Sequence, residues 1–229
     1  MKPLLMLFAV GLSSQFQIFG SGSIEHRERL TESTLVLREV TMSTERAIPP
    51  DLMDRAACIV IIPGLKKGAF LFGARYGKGY VSCRKKHSKG WTAPGTVRIE
   101  GRSIGLQIGG SATDVVILIM NQHGMDQLLS GVFKIGGGSA AAVGPIDRTI
   151  RPQPASFNAA EVISWSRTRG IFAGVSMQGA TISQDLDENF FLYGQQINNR
   201  QIVDRETKVP AIARELISAL NRCSSSEWP

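Results

Sequence analysis

The fold is decided by a nine-residue stretch, Ile62-Pro63-Gly64-Leu65-Lys66-Lys67-Gly68-Ala69-Phe70. The apolar residues 59–62 at its start are typical of a buried strand, and Pro63-Gly64 predicts a turn because proline fixes φ and glycine tolerates positive φ. Residues 70–77 then return to a period-two alternation, as in a half-buried strand. The stretch therefore predicts two strands joined by a turn that carries two ammonium groups into solvent.

The pattern along the rest of the chain indicates one domain. At 229 residues the chain can bury a core without disulfide staples. Alternation and apolar runs predict strands at residues 58–62, 69–76, 79–85, 96–100, 103–108, 113–120, 161–166 and 171–176. Helical spacing predicts helices at residues 24–47, 124–130 and 209–220. Short glycine-containing connections favour antiparallel pairing. We expect an α+β fold, with a strongly bent antiparallel sheet or partial barrel flanked by N-terminal and C-terminal helices.

The N-terminal residues have the layout of a secretory signal. Lys2 precedes a short apolar run at residues 4–12, which is too short to span a bilayer. We therefore expect a signal-like segment at 1–22, a binding domain at 23–222 and a loose tail at 223–229. This division predicts a periplasmic or extracellular protein peripheral to a membrane, or a cytoplasmic one if the first segment is not a signal.

The overall charge indicates either a basic surface without a specific partner or a surface that binds an anionic partner. The net charge is +7 and the isoelectric point is near 9.6, which favours phosphate, either in lipid headgroups or in nucleic acid. Nucleic-acid surfaces usually place aromatic side chains among the cations, and only Tyr80 and Trp91 flank the basic cluster. We therefore expect no nucleic acid.

Cysteines and the usual catalytic motifs point away from enzymatic chemistry. The cysteines are three and contain no C-x-x-C pair, so neither a disulfide framework nor a zinc knuckle is indicated, and Cys58 is interpreted as a packed small hydrophobe. No phosphate-binding glycine loop is present, and no histidine lies in a catalytic motif. Asp114, at the start of an apolar strand, is either a catalytic carboxylate or, as we favour, the cap of a turn or the partner of a buried arginine. We expect no catalysis, no metal and no cofactor.

Two clusters of cations are the strongest functional signal. Arg84, Lys85, Lys86, His87 and Lys89 fill one predicted turn, and Lys66 and Lys67 fill another. In a hairpin array these tips are expected at one end of the sheet. Each cation near an anionic bilayer contributes roughly 1 kcal/mol, so five or six could hold a protein on a membrane. The alternative is a pair of solvated hairpin tips.

Several further motifs identify a family resemblance, and they extend in order from about residue 30 to residue 220. They include the following runs: Cys58-Ile59-Val60-Ile61-Ile62-Pro63-Gly64-Leu65-Lys66-Lys67-Gly68, Phe72-Gly73-Ala74-Arg75-Tyr76-Gly77-Lys78-Gly79, Gly90-Trp91-Thr92-Ala93-Pro94 and Trp165-Ser166-Arg167-Thr168-Arg169-Gly170-Ile171-Phe172-Ala173-Gly174-Val175-Ser176. The chain resembles the SYLF domain family, lipid-binding domains also described as the yeast actin-patch type of actin-binding domain, and looks like a stand-alone bacterial member.

The resemblance implies binding of phosphoinositides and other acidic lipids through basic residues and an N-terminal amphipathic helix. Mapped onto this sequence, it places Lys66, Lys67, Arg75 and Lys78 at the lipid. Arg84, Lys85 and Lys86 are added from charge alone. Eukaryotic members also bind or bundle actin, so the alternative function is an actin- or filament-binding protein or a cell-envelope interaction scaffold.

Overall fold

The computed structural model describes residues 13–42, 48–67, 74–102, 112–136, 141–143, 160–168, 171–173 and 177–224. The helices are α1 (Ser13–Met42), α2 (Pro50–Arg55), α3 (Gln122–Leu129), α4 (Leu186–Tyr193), α5 (Asn199–Asp204) and α6 (Arg214–Cys223), with a 3-10 turn at Ala211–Ala213 before α6. The strands are β1 (Cys58–Lys67), β2 (Ala74–Cys83), β3 (Gly95–Arg102), β4 (Ala112–Ile119), β5 (Val132–Lys134), β6 (Ala141–Val143), β7 (Val162–Thr168), β8 (Ile171–Ala173) and β9 (Thr181–Gln184).

These strands form one bent sheet in the order β5-β9-β3-β2-β1-β4-β7-β6, with β8 also paired to β7. Neighbouring strands are antiparallel except β6 and β7, which are parallel. One face packs on α1, α2 and α6, and the other encloses a second core with α3. The predicted α+β class, with a half-barrel sheet and flanking terminal helices, is confirmed.

The central strand β1 supplies both cores because its side chains alternate. Ile59 and Ile61 pack towards the helices, whereas Val60 and Ile62 pack into the bend. The predicted turn at Pro63-Gly64 is wrong: the strand continues to Lys67, and the register shifts between Ile62 and Leu65 as in a β-bulge. Gly64 has a φ of 61°, which explains why glycine occupies the bulge.

Strand β2 runs without a break where the sequence predicted two strands, 69–76 and 79–85. The glycines of this strand suggest an interruption in the sequence, but in the structure they let β2 pack closely against β1. A Cβ on Gly79 would lie 2.0 Å from the carbonyl oxygen of Ile61, so only glycine lets β1 and β2 approach here. The predicted strand 103–108 lies outside the described residues.

The cysteine interpretation is also corrected by the pairing of β1 and β2. Cys58 lies directly opposite Cys83 in the strand register, and the two fully buried residues form a disulfide. Their 25-residue separation carries no disulfide signature, and only the strand pairing brings the sulfurs together. Cys223 is a free thiol.

Helix α1 is docked along the domain. Leu30, Val36, Leu37 and Val40 are all buried in the core that α1 shares with α6 and the sheet. The helix crosses the predicted boundary at residue 22 without interruption, and the division into segments stays a prediction. Of the described helices, none combines the length and the apolar character that a bilayer crossing requires.

Candidate functional site

The predicted lipid-contacting cations lie at opposite ends of β2. Lys66 is opposite Tyr76 and Lys67 is opposite Arg75 at one end of the β1–β2 pair, whereas Arg84 directly follows Cys83 at the other. Nine residues of extended chain from Arg75 to Arg84 span roughly 30 Å. The two clusters therefore lie at opposite ends of one continuous strand. The expectation that they share one end of the sheet is wrong.

The first cluster is the basic loop, residues 84–90, which connects β2 to Trp91. Lys85 is half-buried, and Lys86, His87, Ser88 and Lys89 are exposed. The loop surrounds a depression of about 270 Å³. The Arg84–Trp91 bridge closes the base of the loop, so its lysines are held on a short, anchored segment.

Arg84 is the anchor of this loop and does not reach solvent. It is 2% exposed, and its guanidinium donates hydrogen bonds to the carbonyl oxygens of Met53 (2.9 Å), Asp54 (3.2 Å) and Ala56 (3.3 Å). It also lies 4.3 Å from the centre of the Trp91 ring. Burial lowers the pKa of Arg84. We therefore remove Arg84 from the predicted lipid contacts: it satisfies the last carbonyls of α2, which a charge count along the sequence cannot show.

The segment at the end of α5 and just after it, residues 204–208, contacts the basic loop through two carboxylates. Asp204 pairs with Lys86 at 2.7 Å, and the carboxylate of Glu206 accepts hydrogen bonds from the His87 backbone N–H (3.1 Å) and the Ser88 hydroxyl (3.0 Å). The His87 N–H, helped by Ser88 and nearby cations, lowers the pKa of Glu206. Glu206 has a φ of 45°, a left-handed conformation that is costly for a non-glycine residue.

The same segment adds cations to this end of the molecule. Arg205 and Lys208, on either side of Glu206, are exposed. We call the surface formed by Lys85, Lys86, His87, Lys89, Arg205 and Lys208 the basic pole. Sequence analysis missed Arg205 and Lys208 because they lie more than 100 residues from the loop.

The second cluster borders a cleft of about 390 Å³ between α1 and the β1–β2 pair. Lys66, Tyr76 and Lys78 line it from the sheet, and Glu25, Glu28, Arg29 and Glu32 line it from the helix. We call it the α1 cleft. Lys66 is exposed, while Lys78 is 29% exposed and donates to Glu188 at 2.7 Å. This end of the molecule therefore carries both signs of charge in similar number.

The other two cations that the resemblance placed here differ from Lys66. Arg75 lies on the opposite face of β2, where its guanidinium contacts the Met177 sulfur at 3.7 Å, and burial lowers its pKa. Lys67 ends β1, and its side chain lies outside the described part of the chain. One corner of the sheet thus carries Lys66, Lys67, Arg75 and Lys78, but the side chain of Arg75 lies on the opposite face from Lys66 and Lys78.

A buried polar cluster joins α1 to the cleft and to α4. Glu188 accepts from Arg29 at 2.7 Å and lies 3.0 Å from His26, whose other ring nitrogen is 3.1 Å from the Tyr80 hydroxyl. Burial raises the pKa of Glu188, but the hydrogen bonds from Lys78 and Arg29 outweigh it and leave the pKa lowered. Burial lowers the pKa of His26 against the attraction of Glu188. These contacts hold α1 on the domain. No local sequence motif predicts them.

Asp114 has the structural role that the sequence favoured. Its carboxylate accepts from the Gly64 backbone N–H at 2.9 Å and pairs with Arg167 at 2.6 Å. It therefore holds the β1 bulge in place and neutralises a half-buried arginine. Among the described residues, no group of histidine, cysteine, aspartate and glutamate has the arrangement of a metal site.

Comparison with known proteins gives one family. A model of the family described as Ysc84, Las17-binding protein actin regulator, matches residues 100–223. The chain is similar to SH3 domain-containing YSC84-like protein 1 of Pongo abelii, with 33% identity over 192 residues, 81% of this chain and 56% of that protein.

Two proteins of Saccharomyces cerevisiae are also similar. Protein YSC84 is 30% identical over 179 residues, 77% of this chain and 38% of that protein. LAS seventeen-binding protein 3 is 30% identical over 179 residues, 77% of this chain and 39% of that protein. The chain spans about half the length, or less, of these relatives.

Proposed function

Because the chain belongs to the Ysc84 family, also called the SYLF domain family, we propose that it is a non-catalytic binding domain that docks on anionic phospholipid surfaces through the basic pole. One observation carries the proposal: an anchored loop presents three lysines, and the segment beneath it adds two more exposed cations. The family is described by what its members bind and regulate rather than by a reaction.

The charges of the basic pole set the expected strength of binding. Five lysines and arginines, at roughly 1 kcal/mol each near an anionic bilayer, are partly offset by Asp204 and Glu206, which leaves about 3 kcal/mol. Such an interaction weakens with salt, because the Debye length is only about 8 Å at physiological ionic strength. We therefore expect reversible, salt-sensitive association.

Helix α1 does not contribute to this surface. Its apolar residues Leu30, Val36, Leu37 and Val40 are buried against the domain, so this face of the helix is not available to a bilayer, whereas Leu35 is 49% exposed. The buried face of α1 is thus committed to the core, and a membrane role of the N-terminal helix stays a prediction for its exposed apolar residues Ile24, Leu35 and Met42. Binding through the basic pole needs no change in the packing of α1.

Vesicle co-sedimentation tests the proposal. Binding of the wild-type chain is expected to rise with the fraction of phosphatidylglycerol in phosphatidylcholine vesicles and to fall with salt. Lys85→Glu/Lys86→Glu is expected to weaken it at least about 30-fold, because the loss of two positive charges alone removes about 2 kcal/mol and their reversal removes more.

The matched control reverses two charges at the other end of the strand. Lys66→Glu/Lys67→Glu changes the net charge equally but lies roughly 30 Å away, so it is expected to leave the gain in binding from pure phosphatidylcholine to phosphatidylglycerol-containing vesicles within a factor of two or so. If this control loses binding and Lys85→Glu/Lys86→Glu does not, the basic pole is not the lipid-binding surface.

A second candidate function is binding to an actin filament or to a regulator of actin assembly. It is favoured by the family description, which names an actin regulator that binds Las17. Co-sedimentation with actin filaments in the absence of lipid tests it. Filament binding that survives Lys85→Glu/Lys86→Glu would assign the filament to another surface and separate the two functions.

We also propose that the chain matures in an oxidising compartment, outside the cytoplasm. The buried disulfide between Cys58 and Cys83 supports this, because such bonds persist mainly in exported proteins. Mass spectrometry of the mature chain without reductant tests it: a reduced Cys58–Cys83 pair on an unprocessed N-terminus would refute export.

A further inference from the structure

The α1 cleft lies far from the basic pole and has a different charge pattern. Lys66, Lys78 and Arg29 bring positive charge, and Glu28 and Glu32 lie one turn apart along the same face of α1. A purely anionic ligand would be repelled by the glutamates, and a purely cationic ligand by Lys66 and its neighbours. The charges of the cleft therefore complement a molecule that carries both signs.

Three charged side chains of the cleft lie outside the two ion pairs described there, Glu25–Arg29 and Lys78–Glu188. Glu25 pairs with Arg29, and Lys78 pairs with Glu188, whereas Lys66, Glu28 and Glu32 take part in neither pair. One positive and two negative side chains thus line a cleft of about 390 Å³ outside these two ion pairs. A dipolar ligand placed between them would satisfy both walls at once.

Tyr76 gives the cleft an aromatic surface. It lies opposite Lys66 in the strand register and is 43% exposed, a large value for a tyrosine that lines a cleft. Aromatic faces attract ammonium groups, and quaternary ones in particular. The cleft therefore combines a cation, two carboxylates and an accessible ring.

We propose that the α1 cleft binds a zwitterionic phosphate ester of an amino alcohol, such as phosphoethanolamine or phosphocholine. Lys66 holds the phosphate, while Glu28, Glu32 and the Tyr76 ring hold the ammonium group. Free amino acids fit less well, because one carbon separates their charges, whereas no described ion pair joins Lys66 to Glu28 or Glu32 across the cleft. The ligand is either a soluble phosphate ester or the headgroup of a neutral phospholipid.

Ligand-observed NMR titration tests the chemistry of the cleft with soluble compounds. Phosphoethanolamine and phosphocholine are expected to bind with a dissociation constant on the order of 1 mM. Glycerol 3-phosphate and ethanolamine, which each supply charge of one sign only, are expected to bind at least about 10-fold more weakly. Equal binding of either of these two compounds would overturn the proposal.

Variants at exposed positions locate the binding. Lys66→Gln and the double variant Glu28→Gln/Glu32→Gln are each expected to weaken binding at least about fivefold, whereas Lys85→Gln/Lys86→Gln at the basic pole leaves it unchanged. Thermal unfolding checks that each variant keeps its fold. Binding that ignores both cleft variants would place the ligand elsewhere and refute the assignment.

Neutral vesicles distinguish the two sources of the ligand. Vesicles of phosphatidylethanolamine and phosphatidylcholine without anionic lipid do not engage the basic pole. Association that depends on Lys66 and Glu32 identifies a lipid headgroup, and binding of the free compounds alone identifies a soluble ligand. Failure of both arms overturns the proposal and leaves lipid docking at the basic pole untouched.

Discussion

Replacing Arg84 distinguishes its observed structural role from the lipid contact that charge alone predicted. The side chain is 2% exposed, donates to three carbonyl oxygens at the end of α2, and stacks on the Trp91 ring. Arg84→Met keeps an unbranched apolar stem of similar bulk but removes every polar contact. We expect this change to destabilise the fold and to leave the membrane contact intact.

The size of the effect follows from these contacts. A hydrogen bond from a charged donor contributes about 1.5–3 kcal/mol, and a desolvated stack of guanidinium on tryptophan about 2 kcal/mol. Contacts that share one guanidinium do not add fully, and methionine avoids the desolvation cost of the buried charge. We therefore expect the free energy of unfolding to fall by about 3–5 kcal/mol.

Urea unfolding followed by tryptophan fluorescence measures this loss, and vesicle co-sedimentation of the folded variant measures binding. Lys85→Met is the matched control: it sits next in the chain but is only half-buried, so it should change stability by less than about 0.5 kcal/mol while weakening vesicle binding. An Arg84→Met protein with wild-type stability and several-fold weaker vesicle binding would refute the reasoning.

Three further predictions test other parts of the structure. Opening the disulfide with Cys58→Ala/Cys83→Ala should lower the free energy of unfolding by about 3.5 kcal/mol for a 25-residue loop, and equal urea midpoints with and without reductant would contradict this. Burial lowers the pKa of His26 from its ordinary 6.5, so the unfolded chain binds the proton more readily and stability should fall as pH drops below about 6.5. His26→Gln should reduce the change in urea midpoint between pH 7.5 and pH 5. Urea midpoints that change with pH equally in the variant and the wild type would exclude this role. Asp114→Ala removes the acceptor of the Gly64 N–H and one of the two carboxylates that pair with Arg167, the other being Glu39, and should cost about 1–3 kcal/mol in thermal or urea unfolding; an unchanged stability would show that the bulge holds without the carboxylate.

The relation between sequence and structure differs from one feature to the next. Helix α3 and strand β4 appear close to where the local periodicity predicted them. The short strands β5, β6 and β9 were not predicted, because three or four residues carry too little alternation to stand out. The bulge at Pro63-Gly64 was misread as a turn because the same dipeptide occurs in both, and the pairing of β1 with β2 and β4 distinguishes them.

The candidate sites also combine features that local sequence predicted with features that only the tertiary structure revealed. Local sequence identified every lysine of the basic loop, since four lysines and arginines in seven residues need no tertiary information to be noticed. It could not show that Arg84 turns inward, because the carbonyl groups that receive it belong to a helix about 30 residues earlier. Nor could it show the α1 cleft, whose two walls are about 40 residues apart in the chain.

The amino-acid sequence alone determined the family, the α+β class and the basic character of the chain, because motifs, periodicity and charge are properties of neighbouring residues. Tertiary structure alone decided which cations share a surface, which cysteines are bonded and which charges stay apart. The physical reason is that strand register and helix docking place distant residues side by side, and exposure, pairing and pKa all depend on those neighbours.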